Sequence, residues 1–114
     1  MRDALKIFKA LADPNRIRIL KMLELRPLCV CEITEILNLA NSTVSKHLSI
    51  LREAELILDE KEGKWVNYAR NSTAASPYVR DILESTARWL TEDPQILADA
   101  QSAKKVNRDV ICRR

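Results

Sequence analysis

Residues 41–57 read NSTVSKHLSILREAELI, and this stretch constrains the fold more than any other. Asn41 is a residue type that caps helices, because its side-chain oxygen accepts from the free N–H groups of a first turn. Val44, Leu48 and Leu51 follow at the i, i+4, i+7 spacing of a narrow apolar stripe, so they are expected to face inward. The opposite face carries Ser42, Thr43, Ser45, Lys46 and Ser49. These side chains are short, hydroxyl-bearing or basic, and they suit contact with base edges and phosphates in a major groove. An ordinary amphipathic helix with a solvated polar face has the same pattern, so the flanking chain decides between the two readings.

Upstream, residues 31–37 (CEITEIL) form a short helical pattern joined by Asn38, Leu39 and Ala40 to the longer helix. A short helix, a tight turn and a longer helix make a helix-turn-helix. Downstream, residues 56–60 and 65–70 flank Lys61, Glu62, Gly63 and Lys64, and Gly63 is the one glycine in the chain. Glycine adopts positive φ without steric cost, which places a hairpin turn there. The expected fold is mainly α with a small β-hairpin, a winged helix-turn-helix.

A chain of 114 residues builds one small domain with a modest core, so burial against a second copy is expected to add stability. The formal net charge of +3 permits nucleic-acid binding without establishing it. Near the proposed reading helix and wing, Lys46, Arg52, Lys61, Lys64 and Arg70 are almost matched by Glu53, Glu55, Asp59, Glu60 and Glu62. Charge alone does not locate a DNA site. No apolar run is long enough to span a bilayer and MRDALKIF has no signal-peptide character, so the expected location is cytoplasmic. The three cysteines are an odd number, and two of them stand a single residue apart, which is poor disulfide geometry. In a reducing compartment they read as thiols, free or metal-bound.

Elsewhere the chain is helical. Residues 3–11 place Ala4, Leu5, Ile7, Phe8 and Leu11 on a broad apolar face, expected to be shared between the subunit core and a dimer interface. Asp13-Pro14, Ser76-Pro77 and Asp93-Pro94 each pair a capping residue with proline at the first helical position. The helix from Pro14 to about Leu25 is the expected core helix, with Arg16 and Arg18 pointing away from the core, to solvent or alternatively to phosphate. Arg26-Pro27 ends it. Leu28 and Cys29 read as a short extended segment at the wing's edge. After Pro77 a stripe of Val79, Ile82, Leu83, Thr86 and Leu90, with Tyr78 and Trp89 beside it, is expected to pack with the first helix against a second copy, the alternative being that it closes the monomer core. A last helix covers residues 95–103, so residues 1–103 form the domain and residues 104–114 a basic tail without fixed structure.

Four motifs in order carry a family resemblance: FKALADPNR from Phe8, LCVCEI from Leu28, VSKHLSILR from Val44 and GKWVNY from Gly63. Together they resemble the ArsR (ArsR/SmtB) family of metalloregulatory repressors over residues 5–70. The resemblance implies a homodimer joined through its terminal helices, bound to double-stranded operator DNA, and it marks residues 28–33 as the metal-binding segment. Pro27 departs from a frequently acidic position, and Glu55 stands where a glycine commonly ends the reading helix. If that position needs positive φ, Glu55 carries about 1 kcal/mol of strain.

Thiolates are strong ligands for thiophilic ions, and helix N-terminal N–H groups lower a thiol's pKa, so Cys29 and Cys31 are the candidate ligands. Within one continuous helix, residues two apart point about 200° apart, so both sulfurs reach one ion only from a non-helical start or after unwinding. Pulling both onto one ion is expected to distort the first helix of the helix-turn-helix and release DNA, unless the sulfurs already converge before the ion binds. Metal binding by thiols also releases protons and weakens in acid. The third cysteine that some relatives carry after the pair is Thr34 here, leaving Cys112 or an external thiol such as glutathione as a third ligand.

Relatives that sense zinc, nickel or cobalt use histidine and carboxylates, and those that sense cadmium or lead add N-terminal cysteines. This chain has one histidine, His47, and no cysteine before Cys29, which leaves As(III) or Sb(III) as the expected inducer. The expected DNA contacts are Ser42, Thr43, Ser45, Lys46, His47 and Ser49, with Lys61 and Lys64 of the wing. The reading is a transcriptional repressor rather than an enzyme. Its rivals are a winged helix answering to cadmium, lead, an organoarsenical or thiol oxidation, one used only for protein contacts, and a thiol-redox enzyme. The last is disfavoured by the absence of a Cys-x-x-Cys motif in a βαβ setting.

Overall fold

The computed structural model describes residues 1–107. Within them the chain forms α1 (Arg2–Leu11), α2 (Pro14–Met22), β1 (Leu28–Cys29), α3 (Val30–Leu37), α4 (Asn41–Glu53), β2 (Ile57–Glu62), β3 (Trp65–Arg70), α5 (Pro77–Ala87) and α6 (Pro94–Lys105). The sheet is antiparallel in the order β1-β3-β2. This is the mainly helical winged helix-turn-helix read from the sequence. Cys112 lies outside the described residues.

Local signals set the helix starts. The Asp13 carboxylate accepts from the N–H groups of Asn15 and Arg16, the Asp93 carboxylate from those of Gln95 and Ile96, and Ser76 Oγ from that of Val79. Each cap is followed by proline, whose missing N–H needs no partner in a first turn. α2 stops at Met22 and turns through Glu24 and Leu25, earlier than the apolar pattern suggests. α5 stops at Ala87, and Leu90 lies beyond it with φ 58° and an exposed side chain, so Leu90 leaves the stripe. α6 runs to Lys105, two residues past the expected boundary.

The core is built from α2, α3, α4 and the roots of the sheet. Ile19, Leu20, Met22, Leu28, Ile33, Val44, Leu48, Leu51 and Leu56 are fully buried. α6 packs along α2 and against α3. Arg18 and Arg16 do not face solvent, as the helical pattern had suggested. Arg18 grips the buried carboxylate of Asp99 on α6 with two hydrogen bonds of 2.8 and 2.9 Å. Arg16 donates to Ala10 O and Lys9 O at the end of α1, at 2.8 and 3.0 Å. Both contacts join α2 to another helix, and the pattern of a single helix does not report them.

α4 ends in a Schellman turn: Leu56 N–H bonds to Leu51 O at 3.1 Å and Glu55 N–H to Arg52 O at 2.9 Å. Its left-handed residue is Glu55, φ 64°, so the position does need positive φ and is filled by a residue with a Cβ. The hairpin pairs residues from Ile57↔Arg70 out to Glu62↔Trp65, which leaves Gly63 and Lys64 as the connection, with Gly63 at φ 59°. Glu55→Gly is expected to stabilise the fold by about 1 kcal/mol, raising the melting midpoint by about 4–8 °C in a calorimetric scan. A lowered midpoint would show that the Glu55 side chain contributes more than its backbone costs.

Candidate nucleic-acid interface and cysteine site

The helix-turn-helix is α3 and α4. Asn38 ends α3 in the left-handed conformation (φ 56°), its N–H bonded to Thr34 O at 2.8 Å. Asn41 does not cap α4 as its residue type suggested. Ala40 holds the N-cap position without a side-chain bond, and Asn41 is the first helical residue. Its Oδ1 lies 3.1 Å from Thr34 Oγ1, so the amide ties the two helices together instead.

Val44, Leu48 and Leu51 bury one face of α4. Ser42, Thr43, Ser45 and Lys46 are exposed on the other, while His47 and Ser49 are half-buried at its margin. The structure therefore gathers these six residues on one helix with a common outward aspect. His47 is also held from below, its Nδ1 lying 3.2 Å from Arg16 Nη1. Lys61 and Lys64 are exposed on the hairpin, and Lys64 Nζ sits 4.9 Å from the centre of the Trp65 ring. That cation–π contact positions a charge at the wing tip. Glu60 and Glu62 alternate with these lysines, so the wing is not a uniformly basic edge.

Cys29 and Cys31 fall on different elements. Cys29 is extended (φ −84°, ψ 167°), pairs with Asn67 of β3 and is the N-cap of α3, whereas Cys31 lies inside the first helical turn and is half-buried. The opposed directions of two residues in one helix therefore do not apply to this pair. A capping box closes around Cys29: its side chain receives the Glu32 backbone N–H, and its own N–H donates to Glu32 Oε1 at 3.0 Å. Glu32 Oε2 accepts from Arg26 Nη2 at 3.0 Å, and the same nitrogen lies 2.9 Å from Ala103 O and 3.2 Å from Val106 O at the end of α6. The start of α3 is thus tied to the end of α6 through one guanidinium.

The Cys29 thiol is 2 % exposed, and its pKa is raised above the ordinary value. Burial is the largest cause. The Glu32 N–H pulls the other way, and the Glu32 charge adds to the rise. A lowered pKa was the expectation from a helix N-terminus; desolvation outweighs it here. Among the described residues, no three His, Cys, Asp or Glu side chains converge as a metal site. Cys29 is a free thiol, whereas Cys31 is disulfide-bonded and not the thiol the sequence suggested, so the pair offers two sulfur donors to a thiophilic ion only after reduction, with any third donor coming from beyond the described residues. Sequence reasoning missed Arg26 and Glu32. The spacing of Glu32 three residues after Cys29 was the available signal, hidden because cysteine is an unusual partner in a capping box.

A sequence profile described as bacterial regulatory protein, arsR family, matches residues 13–58. The arsenical resistance operon repressor of Escherichia coli K12 is 36% identical over 104 residues, covering 90% of this chain and 86% of its own. The chain belongs to the ArsR family. It is an ArsR-family transcriptional repressor, and repressors of this family bind operator DNA. That is not an enzyme class. A cadmium resistance transcriptional regulatory protein CadC homolog of Staphylococcus aureus is 40% identical over 68 residues, 59% of this chain and 56% of that one. HlyU from Vibrio cholerae superposes with a TM-score of 0.63 at 33% identity, over 76% of this chain and 90% of its own. Among the described residues, no helix is long and apolar enough to cross a membrane.

The Arg26 tie has a measurable weight in this ArsR-family fold. Arg26→Met leaves the buried Glu32 carboxylate without its cation, and it is expected to destabilise the protein by about 2 kcal/mol in urea unfolding. Glu32→Gln, which keeps an acceptor for the Cys29 N–H, is expected to cost less. Equal losses would show that the charge contributes nothing.

Proposed function

We propose that the protein is a homodimeric, metalloid-responsive repressor whose α4 and wing hold operator DNA and whose affinity for it falls when arsenite or antimonite is bound by Cys29 and Cys31. The observation that carries the reading is the place of Cys29. It is at once a ladder partner of β3 in the wing and the N-cap of α3 in the helix-turn-helix. Movement of its sulfur acts on both DNA-facing parts. The third sulfur comes from Cys112 or from a small external thiol.

Ser42, Thr43, Ser45, Lys46, His47 and Ser49 enter the major groove, and Lys61 and Lys64 meet the phosphate backbone beside it. Dimerisation uses α1 and α5. Phe8, Leu5 and Tyr78 are 65, 55 and 56% exposed, and Phe8 and Tyr78 line an apolar groove of about 190 Å³ with Ala4, Ile7, Asp81 and Ile82. α6 is taken up by α2 and α3 within the subunit, which leaves α1 and α5 as the terminal helices available to a second copy.

The similarity to the cadmium-resistance regulator supports a second reading, in which a divalent cation is the inducer. Proton balance separates the two. When a thiol replaces a hydroxyl of arsenous acid, an As–S bond forms, an As–O bond breaks, and the thiol proton leaves with the hydroxyl as water. No proton is released. A divalent cation bound by a protonated thiol releases that proton to solvent, and the raised pKa keeps Cys29 protonated near neutrality. The expectation that acid weakens binding therefore belongs to the cation reading.

Two measurements test this function. In fluorescence anisotropy with a duplex from upstream of the protein's own gene, arsenite is expected to weaken binding about 10- to 100-fold. Cys29→Ser and Cys31→Ser are expected to abolish that response while retaining DNA binding, and Cys112→Ser distinguishes an internal from an external third thiol. Unchanged DNA affinity with arsenite added to the reduced protein rejects the metalloid reading. Between about pH 6 and 8, arsenite affinity is expected to stay flat, whereas cadmium affinity rises about tenfold per pH unit for each thiol that deprotonates. An arsenite affinity that climbs with pH would contradict the stated balance.

A further inference from the structure

Arg16 is the most constrained cation near the reading helix. Its side chain is 11% exposed, and its donors are engaged on three sides. Nε donates to Ala10 O at 2.8 Å and Nη2 to Lys9 O at 3.0 Å, both at the C-terminal end of α1. Nη1 lies 3.2 Å from His47 Nδ1 on α4 and 3.9 Å from Asp13 Oδ2. So placed, the guanidinium is withdrawn from phosphate contact.

A guanidinium donates and never accepts, so His47 Nδ1 must be the acceptor, and the imidazole proton sits on Nε2. We propose that Arg16 is a positioning residue for DNA recognition: it fixes His47 as the Nε2–H tautomer and locks the reading helix to the end of α1. The ring's remaining N–H is then a donor on the reading helix, suited to a phosphate or base oxygen. α1 also carries Ala4, Ile7 and Phe8 of the exposed apolar groove. One side chain thus relates that surface to the orientation of α4. Lysine contacts to phosphate tolerate a small rotation of the helix, whereas base contacts do not. Loss of the strut should therefore reduce discrimination more than general DNA affinity.

The test uses the full-length, reduced protein with two duplexes, one from its own upstream region and one of scrambled sequence. Long-range proton–nitrogen NMR of the single histidine is expected to show the Nε2–H tautomer alone in the wild type and a measurable Nδ1–H share in Arg16→Met. Arg16→Met is expected to lower affinity for the upstream duplex about tenfold or more, with scrambled-duplex affinity unchanged. His47→Leu removes the acceptor together with the ring's own N–H but leaves the bonds to Lys9 O and Ala10 O, so it is expected to lose at least as much upstream affinity as Arg16→Met and keeps the proposal testable if that variant fails to fold. His47→Gln, whose amide offers Arg16 an acceptor and keeps a donor of its own, is expected to recover part of the affinity that His47→Leu loses. The double variant Arg16→Met/His47→Leu should be no worse than His47→Leu alone. An Nδ1–H tautomer in the wild type, an unchanged ratio of upstream to scrambled affinity in His47→Leu, or additive losses in the double variant would overturn the proposal.

Discussion

The ends of α1, α5 and α6 depend on cations from neighbouring elements. Arg16 binds the last carbonyls of α1, Lys21 donates to Thr86 O and Arg70 to Leu83 O near the end of α5, and Arg26 holds Ala103 O and Val106 O at the end of α6. The carbonyls of a last helical turn lack intrahelical partners, and the helix dipole concentrates negative charge there. Glycine commonly resolves this with a left-handed turn, but the chain has a single glycine, and the hairpin uses it. Cations from neighbouring elements take over the role. Each such contact contributes up to about 2 kcal/mol where it is partly buried, and each also fixes one element against another.

This use of charge explains why composition said little about DNA. Of the 19 lysines and arginines, Arg16, Arg18, Lys21, Arg26 and Arg70 are occupied with internal carbonyls or carboxylates. The net charge of +3 therefore overstates what a phosphate backbone meets. Around α4 the outward groups are mostly hydroxyls, which favours sequence reading at close range over long-range steering.

The same distinction separates what was legible in the sequence from what was not. Asp13-Pro14, Ser76-Pro77 and Asp93-Pro94 act within four residues, so they could be read directly, and the structure places helix starts at all three. Glu55 could be read only through the family resemblance, which puts a glycine at that helix end, and its φ of 64° meets the condition on which the strain depended. Leu28 and Cys29 were correctly placed at the wing's edge, since Arg26-Pro27 leaves room only for an extended segment. Arg16, Arg18 and Arg26 could not be read, because their partners are tertiary and a helical wheel records only whether a residue is polar. Asn41 was misassigned for the same reason: Thr34 on another helix competes for the amide that the cap would have used. At the cysteines the thiol's character could not be read, because burial depends on how β1 packs.

The size of the switch follows from the same local bonds. In the proposed reading, a ligand drawing on the Cys29 sulfur must break that atom's bond to the Glu32 N–H and move a thiol that is 2 % exposed. Breaking a helix cap costs about 0.5–2 kcal/mol, and allosteric couplings typically amount to about 1–3 kcal/mol. Loss of one capping box is therefore enough to supply much of a typical coupling, without any large rearrangement of the domain. Linkage makes the effect mutual: DNA that holds α3 and the wing in place also preserves the box, and so opposes capture of the ligand by the same free energy. Arg26 extends this balance to α6, because Glu32 cannot shift without changing the charge that faces Ala103 O and Val106 O. In the proposed reading, the helix farthest along the described chain thus takes part in sensing, although it contributes no ligand from those residues.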